Sequence, residues 1–272
     1  MSSVFLSTEE MRLRRLRQRV RAFVDLCGDN GQDGAAPGKW AILMLSYRGV
    51  GEWQPGHITA FVDCVKHWAE RRGFKLPYCW VAEWQARGAL HYHVLVKLPR
   101  GVTMPMADKQ GWWKHGSTNV GWVRKSGKRY MAKYASKETQ RQGSKERGLR
   151  LCGAGGLGRE GRAWYRFLLC PRWVRHECNP SDYPRRVDGG YKLRDGTYIP
   201  SPYTAVAVFG GVVITERSQD EWAQSAIDHS PHVTHAARED AYQRCRLWGD
   251  ARYNVAVEIG EQCEPENPWA NQ

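Results

Sequence analysis

Apolar and polar positions alternate through residues 78–84 and again through 90–97, on either side of a short polar stretch that contains Gly88. This is the pattern of a β-hairpin with Gly88 in its turn. Successive side chains of a strand point to opposite faces, so His91 and His93 share one face while Leu90, Tyr92, Val94 and Val96 take the other. With the turn centred near Arg87, antiparallel pairing sets Glu83 opposite His91 and on the same face. Residues 40–47, WAILMLSY, read as an apolar strand. Between the two lies a helical period over residues 57–72, with Ile58, Phe61, Val62, Val65, Trp68 and Ala69 on one side and Gly73 as the stop. Upstream, residues 7–26 form a helix opened by a capping box, Ser7 with Glu10 three positions on. Its apolar stripe runs from Met11 to Val24 and is flanked by six arginines.

Further along, residues 118–123 suit an edge strand, and residues 129–142 contain no Pro or Gly and suit a helix. Residues 153–158, GAGGLG, match a dinucleotide-binding glycine pattern in form only; no clear strand precedes them, and they read as a turn. The last third reads as a helix over 163–177, a hairpin over 191–199, strands over 204–215 broken at Gly210 and Gly211, and helices over 221–226 and 235–248. Strand, helix and hairpin in succession predict an α+β fold in which helices flank a mainly antiparallel sheet. The expected organisation is a basic helix and Gly-rich linker over 1–38, a main domain over 39–160, and a C-terminal region over 161–272 carrying an α/β extension and an acidic tail.

Two motifs carry chemistry. His91, His93 and Glu83 offer two imidazoles and a carboxylate, a donor set for a divalent metal with positions left open for water or phosphate. In the helix over 129–142, Tyr130 and Tyr134 lie one turn apart on one face, and Lys133 and Lys137 form a second such pair beside them. A phenol with a pKa of about 10 is a poor nucleophile near neutrality. Neighbouring cations favour its phenolate, and a metal-polarised phosphate stabilises the charge that develops during attack. Each motif alone also has a plain reading: exposed histidines on a half-buried strand, or a core helix with outward lysines. His115 is a further candidate ligand, though a surface histidine is the plainer reading.

Together, His91-Tyr92-His93 on a strand and Tyr130, Lys133 and Tyr134 on a following helix resemble the HUH endonuclease superfamily, and within it the two-tyrosine replication initiators of small single-stranded DNA phages. The resemblance spans roughly residues 39–158. It implies a ferredoxin-like palm of about five strands with the ligand histidines on the middle one, Mg²⁺ or Mn²⁺ held by His91, His93 and Glu83, and attack by Tyr130 or Tyr134. It also implies a single-stranded DNA origin as substrate, a covalent 5′-phosphotyrosine adduct, initiation and termination of rolling-circle replication, and a host helicase and polymerase as partners. A single-strand transposase of the same superfamily shares the chemistry. A non-catalytic basic DNA-binding protein is the competitor from outside it.

The charge distribution favours a polyanionic partner. The formal net charge is +13, yet from Glu216 onward eleven acidic residues stand against five basic ones. Residues 122–150, around the tyrosines, carry ten basic and two acidic residues. Such a field attracts nucleic acid with steep salt dependence. Some of the 13 tryptophans are candidates for stacking on unpaired bases. The eight cysteines include no Cys-x-x-Cys pair, so no zinc finger or disulfide framework is expected, and a reducing cytoplasm is the expected setting. The longest apolar run, near residues 205–214, is too short for a bilayer span. No phosphate-binding P-loop is present, so strand separation is expected from another protein.

Overall fold

The structure, a computed structural model, describes residues 3–28, 38–123, 131 and 148–228. It is α+β, as the alternation of strand and helix periods predicts. The described residues divide into two compact units: those of the larger fall within 5–184 and 207–212, and those of the smaller within 3–4, 185–206 and 213–228.

The larger unit is built on a five-stranded antiparallel sheet of β2 (Gly38–Ser46), β3 (Tyr78–Trp84), β4 (Leu90–Pro99), β5 (Thr118–Trp122) and β6 (Cys152–Gly155), in the order β5-β2-β4-β3-β6. The strand β4, buried along most of its length, is central. It pairs with β2 from Gly38↔Pro99 to Ser46↔His91 and with β3 from Tyr78↔Val96 to Trp84↔Leu90. One face of β4 carries Tyr92, Val94 and Val96, all at most 1% exposed. The helix α2 (His57–Glu70) buries Ile58, Phe61, Val62, Val65, Trp68 and Ala69. Its Phe61 meets Trp113, which in turn contacts Tyr92, so α2 belongs to the Tyr92 face.

The opposite face carries His91, His93, Leu95 and Lys97. Part of it is covered by α1 (Thr8–Leu26) and α3 (Arg159–Leu168). Phe23 of α1 meets Trp40 and Tyr165 edge-on at 6.2 and 6.4 Å, and Trp40 is the cross-strand partner of Lys97. The capping box of α1 is formed: Glu10 N–H donates to the Ser7 hydroxyl, and Ser7 N–H donates to the Glu10 carboxylate. Of its arginine-flanked stripe, Leu13, Leu16, Val20, Phe23 and Val24 are buried, so this side of the helix serves the core.

Residues 153–158 differ from the turn expected. Their first part is the edge strand β6, paired with β3 from Tyr78↔Gly155 to Val81↔Cys152. A Cβ at Gly153 would lie 2.6 Å from the Trp80 indole, and one at Gly155 would collide with the Tyr78 ring. The glycines are there to let two aromatic rings lie across the strand. The single helix expected over 163–177 is two, α3 and α4 (Arg172–Glu177), because Pro171 lies between them and cannot continue a helix. A short strand β1 (Ser3–Ser7), not foreseen, precedes α1.

The smaller unit contains an antiparallel sheet of β7 (Arg185–Val187), β8 (Gly190–Lys192) and β9 (Tyr198–Pro200). β8 and β9 are the hairpin expected around Asp195 and Gly196, and Gly196 has the positive φ of 97° that its turn needs. The strands broken at Gly210 and Gly211 are β10 (Tyr203–Val208) and β11 (Gly211–Glu216). The last described helix, α5 (Gln219–Asp228), is tied to β9 where the Trp222 indole N–H donates to the Pro200 carbonyl. The helix expected over 235–248 lies outside the described residues.

Candidate functional site

Glu83 and His91 are direct cross-strand partners on β3 and β4, the register that places two imidazoles and a carboxylate on one face. The hairpin turn is secured from outside. The Arg87 guanidinium donates to the Gln85 side chain at 2.7 Å and to the carbonyls of Tyr47 and Arg48 at 2.8 and 3.1 Å, tying the β3–β4 turn to the end of β2.

Within this cluster His93 and Glu83 are buried, at 3% and 7% exposure, and His91 is half-buried. The His93 Nε2–H donates to Glu83 Oε2 at 2.7 Å. The His91 and His93 rings are 6.4 Å apart at 60°. Among the described residues, no group of three His, Cys, Asp or Glu is arranged as a set of metal ligands. The donor chemistry nevertheless fits a small divalent ion: a nitrogen and an oxygen each about 2.1 Å from one ion sit about 3 Å apart at a right angle, close to the His93–Glu83 separation. Tyr130, Lys133, Tyr134 and Lys137 lie outside the described residues. Their neighbour Met131 is helical and fully buried in the main core.

His91 opens onto a cleft of about 540 Å³ at the end of the sheet, walled by Arg48, Arg87, Gln85, Asp108 and Ser117 among others. Asp108 accepts from the Thr118 hydroxyl at 2.6 Å, and that bond holds its carboxyl below the usual carboxylate range. The cleft therefore joins two guanidinium groups, one lasting negative charge and one imidazole. Periodicity could not reveal Asp108 or Ser117, which come from the loop before β5; only the position of Arg87 in the hairpin turn hinted at the cleft. Gly116 shapes its wall, since a Cβ there would collide with the Ser46 carbonyl.

Beside the cleft, His115 stacks on His57 with ring centroids 3.6 Å apart and planes 15° from parallel. The Tyr47 hydroxyl is hydrogen-bonded to His57 Nδ1 at 3.1 Å. Burial lowers the pKa of both imidazoles, and for His115 the charge of His57 lowers it further. Glu52 acts on His115 in the opposite direction, and Arg48 and Lys114 reinforce the lowering. Below the ordinary histidine pKa of about 6.5 the unfolded chain then binds more protons than the folded one. The stack's contribution is thus intact above that pH and is lost as pH falls through the lowered values. Urea midpoints at pH 7.5 and pH 5 should show an acid drop in the native protein that shrinks in His115→Phe; an equal drop in both would refute this account.

No described helix is long and apolar enough to cross a membrane. No curated protein and no solved structure matches the chain. A family model does: that of the replication-associated protein ORF2 family matches residues 41–139, well under half of the chain. The match opens in β2, takes in the His91–His93 strand and runs through the tyrosine and lysine positions. This stretch of the chain is similar to replication-associated proteins, which is consistent with a phage or plasmid replication initiator and points to a role in replication.

Proposed function

We propose that the protein nicks and rejoins single-stranded DNA through a tyrosine, initiating and terminating rolling-circle replication of a phage or plasmid in a bacterial cytoplasm. The observation that carries the reading is the gathering of His91, His93 and Glu83 on one sheet face, in direct register, beside a cleft lined with arginines. His91, His93 and Glu83 would hold Mg²⁺ or Mn²⁺, which when bound supplies Lewis-acid polarisation of the scissile phosphate. Tyr130 or Tyr134 attacks phosphorus through its phenol oxygen. The new bond is a 5′-phosphotyrosine; the P–O3′ bond breaks, and the departing 3′-hydroxyl takes up a proton and primes a host polymerase. Lys133, supported by Lys137, favours the phenolate and offsets phosphate charge. The second tyrosine then cuts the regenerated origin, so the strand is passed on and closed into a circle. A host helicase separates the strands ahead.

The test is incubation with circular single-stranded DNA and Mn²⁺, with and without EDTA, followed by a denaturing gel and peptide mass mapping. The expected product is a metal-dependent protein–DNA adduct on Tyr130 or Tyr134, lost in the double Phe variant; an adduct that survives there sinks the tyrosine assignment. The existing hydrogen bond between His93 and Glu83 favours a second reading, a non-catalytic basic DNA-binding protein in which that pair is structural. Binding without any adduct across several metals decides for it. A single-strand transposase gives the same adduct but prefers element-end hairpins.

A further inference from the structure

On the Tyr92 face, a pocket of about 660 Å³ lies between the C-terminal end of α2 and the loop that follows β4. Its volume is within the roughly 300–1,000 Å³ of small-ligand sites. Trp68, Arg71, Arg72, Thr103, Gln110 and Trp112 line it, and none of its lining residues is acidic. Trp68 is buried and fixed between Phe74 and Trp112, whose ring centroids lie 5.6 and 6.0 Å away. The Arg72 guanidinium lies over its ring at 4.8 Å. Trp112 is only half-buried, whereas Arg71, Arg72, Thr103 and Gln110 are exposed. Among the described residues, the side chains of Arg71 and Gln110 are engaged by no hydrogen bond or ion pair.

We infer that this pocket holds an unpaired nucleotide of a DNA strand, as a second contact away from the nicking site. The base stacks on the open part of Trp112, Arg71 and Arg72 receive the flanking phosphates, and Thr103 and Gln110 meet polar edges of base or sugar. The chemistry favours a single strand: a tryptophan beside paired cations suits one phosphate-linked base, and paired bases have no free face to offer it. The absence of acidic lining removes the repulsion that a polyanion would otherwise meet. From His93 to Pro99 the central strand rises about 20 Å, at roughly 3.3 Å per residue, and the pocket begins just beyond, on the opposite face. A strand bound at both places passes around the sheet, so the pocket adds affinity for long strands without touching the reacting phosphate. The inference rests on the reading of the protein as acting on single-stranded DNA.

The probe is a 30-nucleotide oligothymidylate carrying one 5-iodouracil at successive positions, irradiated in complex with the full chain and mapped by mass spectrometry. A cross-link on Trp112 is expected, competed away by unlabelled single strand but not by duplex or thymidine monophosphate. Arg71→Glu combined with Arg72→Glu should weaken binding of the 30-mer at least tenfold and lower its salt slope by about 1.4, for two phosphates at roughly 0.7 each. Nicking at saturating DNA should be unchanged. Trp112→Phe keeps a stacking face and should keep most of the affinity; Trp112→Ala should not. Cross-links that never fall on Trp112, equal competition by duplex or monophosphate, or unchanged affinity in a double variant that melts like the native protein would each overturn the site. A protein that never nicks but cross-links at Trp112 supports this site and defeats the nicking reading; one that nicks while the double variant binds the 30-mer normally does the reverse.

Discussion

His93→Ala is expected to lower single-turnover nicking of single-stranded DNA in Mn²⁺ by roughly a thousandfold. Metal polarisation of a phosphoryl oxygen is worth several kcal/mol, and each ~1.4 kcal/mol is a decade in rate. The same variant should also lose stability, because Glu83 is buried and loses the imidazole N–H that it accepts at 2.7 Å. Removing one partner of such a pair costs about 1–3 kcal/mol. His91→Ala separates the two effects. His91 is half-buried at the cleft, so nicking should fall as far while the urea midpoint shifts less. A His93→Ala protein that folds and nicks at the native rate would remove the histidines from the chemistry and leave them as part of the sheet.

The largest stability effect is expected at Gly156. Its φ is +74°, and a Cβ there would drive into the carbonyl and carbon of Leu76, which are backbone and cannot swing aside. Backbone strain of about 1–3 kcal/mol adds to overpacking of similar size. Gly156→Ala should therefore lower thermal stability by roughly 10 °C or more, given about 2–4 °C per kcal/mol at this chain length. Gly73 provides the control: its φ is +75°, but nothing lies within 4 Å of an added Cβ. Gly73→Ala should lose only the backbone-strain part, about 1–3 kcal/mol. Similar losses at both positions would show that the close approach at Leu76 relaxes cheaply.

These residues also show what the chain declares about itself and what it conceals. The register of Glu83 on His91 is legible because a hairpin with a glycine turn fixes pairing by counting, and a slip of one residue would turn the whole apolar set of β4 outward. Most of the sheet and both long helices follow from periodicity in the same way. β6 does not, because at Gly153 and Gly155 the strand's usual side chains are replaced by space for Trp80 and Tyr78, and alternation has nothing to register. The split between α3 and α4 was visible in Pro171, whereas the start of α3 at Arg159 was hidden by a polar first turn. At the candidate site, the strand residues were legible and the cleft was not. Asp108 and Ser117 reach it from a loop whose path depends on Trp113 packing against Tyr47 and Phe61, contacts that no local pattern encodes.

Six cysteines lie among the described residues, and all but Cys64 are buried. Burial pushes the thiols of Cys79 and Cys152 up, and brings those of Cys170 and Cys178 to about 11. A thiol reacts with alkylating agents as its thiolate, so these positions are doubly shielded in the native state, by occlusion and by protonation. Cys64, on α2, is the partly accessible one of the six. Timed alkylation of the described thiols then becomes a fold-integrity assay: labelling beyond Cys64 in any variant reports opening of the core rather than loss of chemistry. It distinguishes a nicking-dead protein that still holds its shape from one that has simply come apart.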